Sequence, residues 1–103
     1  MSYSPKDSKE LRVAADTDVQ HLATAIVRNI DEGKQVHLSC IGVHSISQGV
    51  KATAIANGKV APAGFIFQLL PAFDMTHFLD DRTQEMVERT VLKLTVLKHS
   101  LGV

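Results

Sequence analysis

One cysteine stands in 103 residues. No disulfide can close within the chain, and Cys40 falls in an apolar-rich run where a small buried hydrophobe is the ordinary role. A reducing cytoplasm is the expected location. Excess charge of either sign is also lacking: 11 Lys and Arg balance 11 Asp and Glu. Strong non-specific duplex binders neutralise several phosphates with clustered cations, so only a local basic patch is left to that function. A charge near zero also favours self-association. There is no apolar run of membrane-spanning length, and Met1–Lys9 is too polar for a secretory signal. No membrane role is expected.

Chemistry-bearing motifs are equally scarce. No C-x-x-C or H-x3-H pair occurs, and His37 and Cys40, three apart on an expected strand, point to opposite faces. No metal is expected. His44 and Ser45 are neighbours without a G-x-S-x-G frame. Neither G-x-G-x-x-G nor G-K-[ST] appears, so no nucleotide cofactor is expected. The expected class is non-enzymatic.

What is there has the dimensions of one small domain. Residues 1–9 are polar and expected as a flexible arm, with residues 10–103 as a single domain. Leu11 and Val13 share one face of a short strand, Glu10–Ala15. Thr17 and Gln20 have capping-box spacing ahead of a helix over Asp18–Glu32. In that helix Val19, Leu22, Ala23, Ile26, Val27 and Ile30 form one apolar face, opposite Gln20, Thr24, Arg28 and Asp31. Gly33 ends it.

The stretch Gln35–Pro62 carries the most information. Gln35–Ile41 alternates Val36, Leu38 and Cys40 with Gln35, His37 and Ser39, a strand pattern that Gly42 breaks. Ser45 with Gln48 has S-x-x-Q spacing for a second capped helix, along which Ile46, Val50, Ala54 and Asn57 recur, with Gly58 as the expected stop. Gly49 inside that helix predicts close approach of another backbone, since glycine there costs about 1 kcal/mol relative to alanine. The small residues Gly49, Ala52, Thr53 and Ala56 suit either packing of the two helices within one chain or a dimer face. A strand running straight into a helix start also leaves backbone N–H groups to meet an anion.

Lys59–Gly64 is a turn, and Phe65–Phe73 a strand apolar on both faces, which suggests a central strand or an edge covered by a partner. Asp74–Glu88 is open between a strand extension through Met75–Leu79, a helical turn and a hairpin loop. Thr90–Lys98 closes the domain as a strand. The order strand, helix, strand, helix, strand, strand argues for an α+β two-layer sandwich with both helices on one face of a four-stranded sheet.

Ile41-Gly42, Ser47-Gln48-Gly49-Val50-Lys51-Ala52, Ala54-Ile55-Ala56 and Val60-Ala61-Pro62 with Gly64 together resemble the stage V sporulation protein S family. Leu11-Arg12-Val13, Pro71-Ala72-Phe73 and Glu88-Arg89-Thr90 extend the likeness over roughly Leu11 to Lys98. The resemblance implies an Alba-like βαβαββ fold with a mixed sheet, a homodimer or higher homo-oligomer, and a regulatory role of the kind found in bacterial sporulation. Similarity to Alba chromatin proteins is more distant. Gln48 stands where their pattern has a DNA-contacting lysine.

For contact with a DNA or RNA backbone the expected residues are Ser47, Gln48 and Lys51 on the second helix. Lys59 after the helix, and Arg82 and Arg89 in the hairpin region, would extend the track. Beside Arg82 stand Asp80 and Asp81, and beside Arg89 stand Glu85 and Glu88, so local pairing would quench both arginines. The alternative is a self-assembling scaffold without nucleic acid, which the balanced charge and Gln48 favour.

Overall fold

The computed structural model describes residues 7–102, the side chain of Phe78 excepted. Residues 1–6 of the expected N-terminal arm lie outside that range. Strand β1 spans Ser8–Val13, helix α1 Val19–Asp31, strand β2 Gln35–Cys40 and helix α2 Val43–Val60. A 3-10 turn at Ala61–Ala63 leads to β3, Phe65–Leu79, and β4, Met86–Ser100. The sheet order is β1-β2-β4-β3, with β1 parallel to β2 and the other pairs antiparallel. The expected α+β sandwich and its mixed sheet are both present.

One face of the sheet is apolar for a simple reason. Val36, Leu38 and Cys40 pair across to Val96, Leu94 and Leu92, and Leu11 and Val13 extend the row onto β1. Leu22, Ala23 and Ile26 of α1, and Ala52 and Ala56 of α2, close over this row to form the core. Burial of these side chains removes apolar surface from water, the main favourable term in folding. Gly49 sits where α2 crosses the sheet. A β-carbon there would meet Cys40 Sγ at 3.4 Å, Leu94 Cδ1 at 3.5 Å and Leu38 Cδ1 at 3.6 Å. The close approach expected at Gly49 is real, but its partners are sheet side chains, not a backbone.

Local chemistry moved several element ends. Asp18, one residue past Thr17, caps α1 by accepting from the N–H groups of Gln20 and His21. Thr17 instead accepts from the Ala14 N–H through Oγ1. Helix α2 starts at Val43, two residues before the expected cap at Ser45. Its N-cap is Gly42 at φ 87°, a conformation open to glycine at little cost. Ser45 is thereby three residues into the chain from the cap, wholly buried, and its Oγ donates to the Gly42 carbonyl at 2.6 Å. Gly58 does not stop α2. The helix runs on to Val60, and Gly64 at φ 90° ends the following 3-10 turn.

The largest departure is the length of the hairpin. Asp74–Leu79 extends β3 and Met86–Val91 extends β4, so the strands pair from Phe65↔Ser100 to Leu79↔Met86. β2 meets β4 only from Leu92 to Val96. Beyond that point the hairpin is a two-stranded arm, and it draws the molecule out to 55 Å along its longest axis. β3 is an edge strand, not a central one. Asn57 of α2 covers part of the edge: its Nδ2 donates to the Phe67 carbonyl and its Oδ1 accepts from the Phe67 N–H. Alternation places the N–H position of Pro71 on that same outer edge, where proline sacrifices no ladder bond.

Candidate nucleic-acid interface

The start of α2 has two properties that suit an anion. No side chain caps it, and its first turn holds no acidic residue. The first N–H groups of a helix lack intrahelical partners and carry the positive end of its dipole. Gly42, Val43 and His44 are exposed, Val43 by 74%. α1 differs, because Asp18 occupies its own first N–H groups. Those bonds, that from His21 first, hold the Asp18 carboxyl below its usual range against a smaller opposing effect of desolvation.

The expected contact residues do not form one track. Ser47 and Lys51 are exposed and lie one helical turn apart. Gln48 lies between them in sequence but is half-buried, and its Nε2 donates to the Thr17 carbonyl at 2.8 Å. That bond ties α2 to the β1–α1 connection and commits one of its amide donors. Lys59 lies eight residues beyond Lys51, in a groove between the helices with Thr24, Val27, Arg28, Asp31 and Glu32. Two carboxylates thus share its surroundings.

Arg82 stands in the turn at the tip of the arm, where its N–H donates to Asp80 Oδ1. Residues 74–89 hold five carboxylates against two guanidiniums, a net charge of −3 with His77 neutral, which leaves +3 on the rest of a neutral chain. The arm is therefore the acidic part of the molecule. Glu88, expected beside Arg89, pairs instead with His77 across the strands at 3.1 Å on the opposite face. Arg89 lines a cleft with Arg12, Ile41 and Thr76 on the sheet face away from the helices.

Two features were missed by sequence reasoning. The helix-side face of the arm exposes Phe73 by 82%, with Met75, Leu79 and Met86 also open. The alternation of that segment carried the signal, but without knowing that β2 ends at Cys40 it does not separate core from projection. The other is the outer side of α2, where Val43 and Val50, seven residues apart, are both exposed. The small residues Gly49, Ala52, Thr53 and Ala56 are instead buried within the chain, which assigns them to internal packing rather than to a dimer face.

On the far sheet face His37 shares a 2.8 Å hydrogen bond between its Nδ1 and Thr95 Oγ1. Burial, and then the nearby Lys93, hold its pKa below the ordinary 6.5, with Glu10 and Asp74 opposing. Burial pushes the Cys40 thiol up, which makes it a packing atom and a poor nucleophile. No helix among the described residues is long and apolar enough to cross a membrane.

The fold has a solved counterpart. Alba from Thermoplasma volcanium superposes with a TM-score of 0.57 at 14% sequence identity, covering 85% of this chain and 98% of that one. At that identity the likeness establishes the architecture alone. The family model for stage V sporulation protein S matches residues 9–99, so nearly the whole domain, arm included, is accounted for, and the chain belongs to the stage V sporulation protein S family.

Proposed function

We propose that the protein is a non-catalytic, cytoplasmic nucleic-acid-binding regulator that grips phosphate backbone with the exposed start of α2. The carrying observation is the uncapped, acid-free first turn of α2 with Ser47 and Lys51 exposed one turn apart beyond it. The Alba-like fold supports the reading. Ser47 would donate through its hydroxyl and Lys51 through its ammonium, while Gln48 holds the helix in place through Thr17. Lys59 beside Asp31 and Glu32, and Arg82 on the acidic arm, contribute less than their charge suggests. Arg89 faces the other side of the sheet. Such contacts carry no base specificity.

Titration with labelled single-stranded DNA and RNA at two salt concentrations tests this. Affinity falls as salt rises, Lys51→Ala weakens binding on every sequence, and the salt slope shrinks by about one. An absence of binding at low salt overturns the reading.

Self-assembly is the second reading, and the arm favours it. Its exposed apolar face offers Phe73, Met75, Leu79 and Met86, and its net negative charge complements a positive body. A stable oligomer in sedimentation, with no nucleic-acid binding, is the result that selects it.

A further inference from the structure

We propose a second, independent anion site in the cleft formed by Arg12, Ile41, Thr76 and Arg89, one that takes a small phosphomonoester of mononucleotide size. The cleft lies on the sheet face opposite the helices, away from the Ser47–Lys51 surface. Arg12 comes from β1, Thr76 and Arg89 are direct cross-strand partners at the root of the arm, and Ile41 follows the end of β2. Three strands therefore bring two guanidiniums, a hydroxyl and an apolar wall to one place. No carboxylate is among the lining residues.

Glu10, two residues before Arg12 on β1, shares this sheet face but lies outside the lining. Asp74, on the same face, has its carboxylate 3.8 Å from Lys93 Nζ. Glu88 is turned to the other face and pairs with His77. The acidic tip begins past the Leu79↔Met86 pair, three residue steps from Thr76. That is roughly 10 Å along a strand, about one Debye length in 0.1 M salt.

Guanidinium forks match phosphate oxygens in pairs, which a single ammonium does not. The volume of 320 Å³ lies near the lower end of small-molecule sites, about 300–1,000 Å³. It suits a phosphate with one attached organic group. Thr76 adds a hydroxyl donor, and Ile41 gives the organic part an apolar surface. The groove between the helices differs because Asp31 and Glu32 offset Arg28 and Lys59 there.

The test is calorimetric titration of the full chain with AMP, adenosine and inorganic phosphate at low salt. AMP saturates one site per chain, phosphate competes for it, and adenosine does not bind. Arg12→Ala weakens AMP binding about tenfold or more, the loss expected of a charge-assisted contact. Arg12→Lys, which keeps the charge and loses the fork, recovers only part of the affinity. Arg12 is exposed, so its variants keep the parent's melting curve. Lys51→Ala leaves AMP affinity within about twofold, because it lies outside the cleft. Absence of AMP and phosphate binding overturns the site, as does binding unchanged in both Arg12→Ala and the Arg12→Ala, Arg89→Ala double variant. Polymer binding through α2 can fail while AMP still binds, so the two readings stand or fall separately.

Discussion

Gly49 and His37 illustrate how single residues translate position into energy. A methyl group at Gly49 would make ordinary van der Waals contact with Cys40, Leu94 and Leu38. Gly49→Ala therefore gains helix propensity, up to about 1 kcal/mol, and loses little to crowding. Gly49→Leu drives a larger group into Leu38 and Leu94 and costs roughly 1–3 kcal/mol. Urea unfolding of the two variants checks the pair of signs; equal destabilisation by both would show a tighter seam. His37 makes a pH prediction. Its folded pKa lies below 6.5, so the unfolded chain binds the proton more readily. Stability is then highest above pH 6.5 and declines as pH falls through that value toward the folded pKa. His37→Gln removes this part of the slope, and thermal melts between pH 7.5 and 5.5 measure it. The Asp18 contribution separates cleanly, because its carboxyl is lowered from 3.8 and loses its effect only in stronger acid.

At the scale of elements, one side chain joins the helix layer to the exposed sheet edge. Asn57 satisfies both the N–H and the carbonyl of Phe67, with Oδ1 at 2.6 Å from the Phe67 nitrogen. Asn57→Ala leaves two part-buried backbone groups unpaired at the point where Phe67 enters the core. The expected cost is about 1–3 kcal/mol, and hydrogen exchange at Phe67 should accelerate more than exchange in β2. Uniform acceleration would mean that the bond serves global stability only. The helix faces that surround this contact were legible in unequal degree. The α1 stripe is periodic and was read correctly from Val19 to Ile30, because large apolar residues fall on one side. α2 left its small-residue side open between internal packing and a dimer face: Gly49, Ala52, Thr53 and Ala56 are buried within the chain, while Val50 and Ala54 are exposed. Small residues leave little hydrophobic contrast, so spacing alone does not say which side touches the sheet.

At the scale of the whole molecule, a net charge of −3 on residues 74–89 stands against +3 on the rest of the chain. Replacing Met75–Thr90 with Asn-Gly joins Asp74 to Val91, cross-strand partners whose backbone groups face each other in the ladder. This removes four carboxylates and two guanidiniums. The core residues of α1, α2 and β2 lie outside the deleted segment, so the shortened chain unfolds cooperatively, with a melting temperature within several degrees of the parent. Loss of the Leu79 and Met86 surface shifts any self-association toward monomer in sedimentation. Affinity for nucleic acid through α2 rises, because the remaining chain is positive. A fall in that affinity would show that the arm contributes attractive contacts despite its charge.

The sequence by itself determined the order of elements, the two-layer α+β architecture, the α1 face and the break at Gly42. Those follow from short-range periodicity and from glycine's access to positive φ, which neighbours cannot alter. Tertiary structure decided how far the hairpin projects, which side of α2 is buried, what Gln48 holds, and that Arg12 and Arg89 share a cleft. These depend on strand register and on where β2 ends at Cys40, long-range relations that place residues dozens of positions apart side by side.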